Sequence, residues 1–339
     1  MTRIVVDAVG SDEYPTPDVV GAVLAAREYG VEIILVGDET LIKPVLASQN
    51  PSDLPIRVVH APDMLTMEDK GEDLTFKARH RDAKNSMAVG IDLVKQGKAD
   101  AFVTAGNTGA AMITALFRLG RIRGVERPCL APVFPTATGS CVVLDVGANP
   151  DCKPEYLLQF GIMGAVYAEK VRRVNNPKVG LLSNGEEAGK GNDLVKHTFP
   201  LLKDSGLNFY GNAEGKEIIG GMVDVAVTDG FTGNVLLKSS EAVAKLILDK
   251  VKELINNGPL VAKIGGALVR PTLRKIKKML DPEEEGAAPL LGVNGLVFIG
   301  HGRSNEIAIK NAIRLAKNAV ETGVLESIRT AIEQSIKEK

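Results

Sequence analysis

The chain has 339 residues, enough for a sizeable buried core in one large domain or two smaller ones. With 41 Lys+Arg against 42 Asp+Glu the net charge is -1, which excludes a bulk nucleic-acid binder, whose footprint would be basic. Hydrophobic residues make up 45% and charged residues 24%, which excludes global disorder, and 35 Gly with no Trp suit an α/β enzyme with many tight strand-to-helix turns.

Residues 3–7 (RIVVD) read as a buried first strand. A helix follows, with Pro17 in its first turn and Val20, Val23 and Leu24 on one face. A strand at 31–37, a helix at 39–48 and a strand at 56–60 continue the rhythm. The polar stretch 61–76 reads as loop, 78–96 as helix, 100–106 as strand, and the next helix carries Ala110, Ile113, Leu116 and Phe117. Segments 140–149, 178–185, 224–230 and 296–302 share one grammar: an apolar strand, a small or acidic residue, Gly, then a helix, the last at 305–322. Such units imply a doubly wound, mostly parallel sheet with helices on both faces and ligands at the carboxyl ends of its strands. No linker divides the chain, so 1–339 reads as a single α/β/α domain.

One stretch breaks the rhythm. A long helix over 232–257 has no strand after it, and residues 258–280 hold no acid but the bases Lys263, Arg270, Arg274, Lys275, Lys277 and Lys278. Asp281, Glu283, Glu284 and Glu285 follow at once. Val261, Ile264 and Leu268 share one helical face, and Leu273, Ile276 and Leu280 repeat the pattern after Pro271. Residues 240–285 are therefore expected to form a projecting helical arm with a basic, amphipathic tip.

The strand ends carry the candidate chemistry. In AGNTGAAM (105–112), Asn107, Thr108 and Gly109 open a helix whose N–H groups can hold an anion, or simply cap it. In DVGANPDCKPE (145–155), Asp145 ends an apolar strand with no packing reason to be there, and Gly147, Asn149 and Lys153 surround it. In SNGEEAGKGND (183–193), Asn184, Gly185, Glu186, Gly189 and Gly191 frame Lys190, but the spacing is not that of a nucleotide P-loop. No GxGxxG dinucleotide fingerprint is present. In DGFTGNVLLK (229–238), Asp229 is a candidate proton carrier and Asn234 a candidate oxyanion donor, with Gly230 in the turn and Lys238 one helical turn beyond Asn234. His301 also ends a strand, and none of the four His pairs at metal-ligand spacing.

The three Cys (Cys129, Cys141, Cys152) form no CxxC and suit a reducing, cytoplasmic setting. Cys152 beside Lys153 has the look of a thiolate nucleophile, yet no His neighbour supports it. The first residues lack the pattern of a secretory leader, and no apolar run approaches the ~18 residues of a membrane span.

Together VDAVGSD (6–12), AFVTAGNTGA (101–110), LGRIRGVERP (119–128), LDVGANPDCKPEYLLQF (144–160), GEEAGKGN (185–192), GNAEG (211–215), DGFTGNVLLK (229–238) and HG (301–302) resemble the PlsX-type phosphate acyltransferase family, in order and over nearly the whole chain. The departures are small: Val9 and Ser11 stand where the family usually has Met and Gly, and SN precedes GEE. The resemblance implies a fold similar to phosphotransacetylase and isopropylmalate dehydrogenase. It implies transfer of a long fatty acyl group from acyl carrier protein to inorganic phosphate, giving acyl phosphate for phospholipid synthesis. It implies a homodimer associated peripherally with the inner face of the cell membrane, needing no metal, nucleotide or other cofactor.

On this basis Asp229, Asn234, Lys190 and Asn149 are the expected catalytic residues. Asn107, Thr108, Gly109, Asp145, Gly147, Lys153, Asn184, Gly185, Glu186, Gly189, Gly191, Gly230, Lys238 and His301 are expected around phosphate and substrate. Leu260, Val261, Ile264 and Leu268, with Arg270, Arg274, Lys277 and Lys278, fit anionic lipid headgroups, an acidic carrier protein, or a dimer partner. Phosphate is already a nucleophile at neutral pH, so direct attack is expected rather than an acyl-enzyme on Cys152. A phosphotransacetylase acting on acyl-CoA and a non-catalytic membrane scaffold are the alternatives.

Overall fold

A computed structural model describes residues 1–80 and 82–337. Its strands are β1 (Arg3–Asp7), β2 (Glu32–Gly37), β3 (Ile56–His60), β4 (Ala101–Thr104), β5 (Cys129–Leu130), β6 (Val133–Thr136), β7 (Gly139–Leu144), β8 (Val179–Leu182), β9 (Phe209–Ala213), β10 (Val225–Val227), β11 (Ala288–Leu291) and β12 (Leu296–Ile299). Its helices are α1 (Thr16–Tyr29), α2 (Glu39–Ser48), α3 (Gly71–Arg79), α4 (Ser86–Lys95), α5 (Thr108–Leu119), α6 (Pro154–Lys170), α7 (Asp193–Lys203), α8 (Gly215–Gly220), α9 (Gly230–Asn257), α10 (Leu260–Met279), α11 (Glu306–Glu321) and α12 (Val324–Lys337).

The strands divide over two sheets. One has the order β3-β2-β1-β4-β12-β11-β5, parallel except where β11 runs against β12 and β5. The other has the order β6-β7-β10-β8-β9, parallel except for β6 at its edge. Continuous aliphatic runs explain the central strands: Ile4, Val5 and Val6, and Ile33 to Val36, are wholly buried, as strands covered on both faces must be. One core cluster spans both sheets. It joins Ile4 and Leu35 of the first sheet to Leu144 and Val225 of the second through Phe160, Met163 and Tyr167 of α6. Helix α11 packs on α1 and α12 on α6, so the last segment of the chain closes this core.

The helix expected at 78–96 is two helices. Asn85 accepts from the Ala88 N–H at 2.9 Å and starts α4, while α3 occupies part of the stretch expected as loop. The strands β5, β6, β9 and β11 carry no clear apolar run: Pro135 and Pro289 interrupt two of them, and Gly211 and Asn212 weaken a third. The arm is present as α9 and α10, and α10 continues through Pro271 as one helix. The chain thus leaves the second sheet at β10, runs out and back along the arm, and re-enters the first sheet at β11.

Candidate active site

Three of the four parallel strands of the second sheet, β7, β10 and β8, end in adjacent turns. The first wraps around Asp145, which is wholly buried. Its Oδ1 accepts from the Leu130 N–H (2.9 Å) and the Ala148 N–H (3.3 Å), and its Oδ2 from the Asn149 N–H (2.6 Å) and Asn149 Nδ2 (3.0 Å). Leu130 belongs to β5, so this carboxylate ties the first sheet to the end of β7. Burial pushes the Asp145 carboxyl up and its four donors pull it back. Asn149 donates again from Nδ2 to the Pro128 carbonyl at 2.7 Å. Both residues expected at the substrate are therefore committed to the scaffold: Asn149 has no amide hydrogen left for an oxyanion, and Asp145 faces inward.

The second turn starts α9. Asp229 caps it, with Oδ1 accepting from the Thr232 N–H (2.8 Å) and Oδ2 from the Thr232 hydroxyl (2.7 Å). This is the bland role for an Asp at a strand end, so the candidate proton carrier is occupied as a cap. Gly230 and Gly233 press against the Asp145 turn: a Cβ on Gly233 would lie 2.0 Å from the Asp145 carbonyl oxygen, and one on Gly230 2.7 Å from Asp145 Oδ2. That contact places the next residue. Asn234 sits opposite Gly147, whose φ of +97° turns its backbone toward it, with Asn234 Nδ2 3.8 Å from a Cβ built there. Among the described residues no hydrogen bond engages the Asn234 side chain, and Lys238 follows one turn on. The structure thus brings Gly147, Gly230, Asn234 and Lys238 together.

Cys152 is half-buried beside this turn, its thiol 3.4 Å from the Asn149 carbonyl. Burial, with Asp145 adding to it, pushes the thiol up to about 12. It is a thiol and not a thiolate at neutral pH.

The third turn is 183–191. Gly191 takes a φ of +100°, and Asn192 caps α7 by accepting from the Val195 N–H at 3.0 Å. The aliphatic stem of Lys190 lies over Gly185, where a Cβ would come within 2.9 Å of Lys190 Cγ. Asn212 holds the turn from below, donating to the Glu187 carbonyl at 2.8 Å. Among the described residues, the buried Asn212 Oδ1 and Ser183 Oγ have no hydrogen-bond partner. Asn184 and Gly189 lie on the exposed rim. Glu186 points elsewhere. Lys216 meets it at 2.9 Å, Glu214 at 3.2 Å and Glu217 at 3.5 Å, and holds Glu186 below its ordinary value. Those three carboxylates lie close enough to share a cation, and the ammonium of Lys216 already supplies the charge.

Lys153, Lys190 and Lys238 are exposed and take part in no ion pair among the described residues. Three unneutralised ammonium groups at the strand ends suit a multiply charged anion.

The first sheet contributes its own ends. Asn107 caps α5 by accepting from the Ala110 N–H (3.1 Å) and donates to the Thr66 (3.1 Å) and Asp69 (3.2 Å) carbonyls, so its amide is spent on the loop before α3. Thr108 is exposed, and Gly109 lies against Leu74. His301 stands at the rim after β12. Desolvation by the surrounding chain holds its imidazole below the ordinary value, Glu241 opposes this, and Arg303 and Lys238 add to it. Those charges place His301 on the side of α9 that carries Lys238 and link the two sheets' strand ends.

A buried network at β1 was missed. The Thr104 hydroxyl donates to Asp7 Oδ2 at 2.8 Å, and the Ser11 hydroxyl to Asp18 Oδ2 at 2.6 Å, while Asp18 Oδ1 has no partner. Burial, opposed by Ser11 and aided by Asp7, raises the Asp18 carboxyl to about 8. Burial raises Asp7 as well. The signal was present in VDAVGSD, where an acid follows an apolar strand. The backbone of this loop supports the site, since the Asp12 N–H donates to the Gly302 carbonyl at 2.7 Å.

On the arm, Leu260, Val261, Ile264 and Leu268 are 54–80% exposed, and α10 buries no residue. No helix among the described residues is long and apolar enough to cross a membrane.

The solved structures most like this one include the EutD phosphotransacetylase of Staphylococcus aureus, with a TM-score of 0.59, and a phosphotransacetylase of Streptococcus pyogenes, with 0.61. Each is 18% identical in sequence, with 94% of both chains covered, a likeness of fold alone. The family described as "Fatty acid synthesis protein" matches residues 2–327. The chain is 48% identical over 333 residues to the phosphate acyltransferase of Elusimicrobium minutum, covering 97% of this chain and 96% of that one. It is 48% identical over 331 residues to the phosphate acyltransferase of Pelotomaculum thermopropionicum, covering 98% and 95%. The α/β fold and these full-length relatives together place the chain in the PlsX-type phosphate acyltransferase family, as an acyltransferase of fatty acid and phospholipid synthesis.

Proposed function

We propose that this acyltransferase moves a long-chain fatty acyl group from acyl carrier protein to inorganic phosphate by direct attack. The observation that carries the reading is the cluster at the second sheet's strand ends. Asn234 keeps its amide uncommitted, the three lysines Lys153, Lys190 and Lys238 lack carboxylate partners, and the neighbouring Cys152 is a thiol. Lys190 with the 183–191 turn, and Lys153 or Lys238, hold the phosphate as a dianion. One phosphate oxygen attacks the thioester carbonyl, and Asn234 Nδ2 donates to the oxyanion that develops. The C–S bond then breaks, and the proton lost by phosphate ends on the departing thiol, so the products are acyl phosphate and free carrier thiol. Asp145, Asn149 and Asp229 hold the geometry without entering the reaction.

Segment 240–285 serves as the membrane-contact and dimerisation arm. Its exposed Leu260, Val261, Ile264 and Leu268 lie among Arg270, Arg274, Lys277 and Lys278, a pairing suited to an anionic bilayer surface where the lipid product would be used. The exposed Val243, Leu246, Ile247 and Leu254 of α9 suit a second copy of the chain.

The test mixes the protein with palmitoyl-acyl carrier protein, with and without phosphate, and traps acyl phosphate with hydroxylamine. Phosphate-dependent hydroxamate is the expected result. Hydroxamate from acetyl-CoA alone would move the donor to a small acyl-CoA, and silence with both would overturn the reading.

A further inference from the structure

At the base of the arm a pocket of ≈ 170 Å³ opens beside His301. It is lined by Asp281 and Glu283, just after α10, by His301, Arg303 and Ser304, by Gly286, and by Ala308 of α11. The acids are fixed in place: Glu283 Oε2 accepts from Asn305 Nδ2 at 2.7 Å, and Asp281 Oδ1 from the Glu283 N–H at 3.1 Å. Arg303 has no ion pair among the described residues, and Ser304, only 6% exposed, makes no side-chain hydrogen bond there.

The lining selects its ligand by hydrogen-bond type. A carboxylate only accepts and a guanidinium only donates. A free anion would meet Asp281 and Glu283, and a free cation would meet Arg303. A neutral group with both N–H and C=O, an amide, satisfies both kinds of lining group at once. The volume is below the roughly 300–1,000 Å³ of pockets that enclose a whole small ligand, so the occupant is a segment of a longer chain. We propose that this pocket binds the amide-bearing pantetheine arm on which an acyl thioester is carried. The assignment rests on the thioester donor proposed above and adds a donor subsite on the His301 side of the cleft. The His301 ring offers this ligand a further nitrogen for hydrogen bonding.

Pantetheine itself is the probe, titrated into the full-length protein and followed by calorimetry. Wild type should bind it, Arg303→Gln should weaken binding about tenfold, and Ala308→Leu, which fills the pocket, should abolish it. In turnover both variants should raise KM for the acyl donor with KM for phosphate within about twofold. Should Ala308→Leu fail to fold, Arg303→Gln and Ser304→Ala decide. No binding by wild type, or equal binding by the variants, would overturn the proposal even if acyl phosphate is made. Binding that tracks the variants in a protein that makes no acyl phosphate would uphold the pocket and remove only the functional reading.

Discussion

Helix α9 lives in two environments. Its first turn is fitted to the Asp145 loop so closely that a single methyl on Gly233 would come within 2.0 Å of a carbonyl oxygen. Its far end meets α10 at Gly266 against Ile255, while Leu254, Leu260, Val261 and Leu268 stay 64–80% exposed. Position is exact at the strand-end turns and left loose where nothing among the described residues completes the surface. Glycine marks the first kind of place, because only the missing side chain allows two backbones to touch. Leucine and valine without cover mark the second, because their burial requires another surface.

Substitutions can break that contrast from either side. Gly233→Ala should have the largest effect. The overlap must displace either the helix or the Asp145 loop, at about 1–3 kcal/mol, and Asn234 moves with it. Turnover should fall at least about a hundredfold, as when an oxyanion donor is lost, with a lower melting temperature, and a normal enzyme would show that the close fit does not set the site. Lys190→Ala and Asn234→Ala should cost about 10²–10³ in kcat while leaving thermal unfolding almost unchanged, since among the described residues neither polar group has a hydrogen-bond or ion-pair partner. Loss of stability in either would make it scaffold instead.

On the arm the expectation reverses. Leu260→Glu with Ile264→Glu should leave the melting temperature and turnover of a soluble donor within about twofold, yet lower flotation with anionic vesicles about tenfold. Unchanged flotation would remove the membrane role. On turnover the smallest effect belongs to Asp18, which acts on stability alone. Its carboxyl titrates at about 8 folded and near 3.8 unfolded, so its stabilising share is full below the unfolded value and is lost as pH rises toward 8. Unfolding midpoints measured between pH 5 and 8 should therefore fall with rising pH, by up to about 1.4 kcal/mol per unit for one proton, and Asp18→Asn should flatten that slope.

Much of this was legible in the amino-acid pattern. Apolar strands ending in Asp, Gly or Asn marked the turns, and the run of bases after residue 258 marked the arm. The division into two sheets was not legible, because β5 is two residues long and β6 and β11 carry proline, so the joining strands have no periodicity to detect. The roles of Asp145, Asn149, Asn107 and Asp229 were hidden for a related reason. A polar residue at a strand end looks the same whether it faces a ligand or a backbone N–H, and only distances such as Asn149 Nδ2 to the Pro128 carbonyl separate the two. The pocket beside His301 depends on Asp281 and His301 lining one space, a juxtaposition of the arm's return and the strand-end turn that no local motif encodes.

The arm is also the covalent bridge from one sheet to the other. What lies beyond it is held independently of that bridge: β12 sits between β4 and β11, α11 lies on α1, and α12 lies on α6. A protease cut at the exposed tip near Gly258 would therefore leave two fragments bound as one particle, with the strand-end site intact. A single nick would thus leave the arm's two helices on separate pieces of chain while the strand-end turns keep their packing.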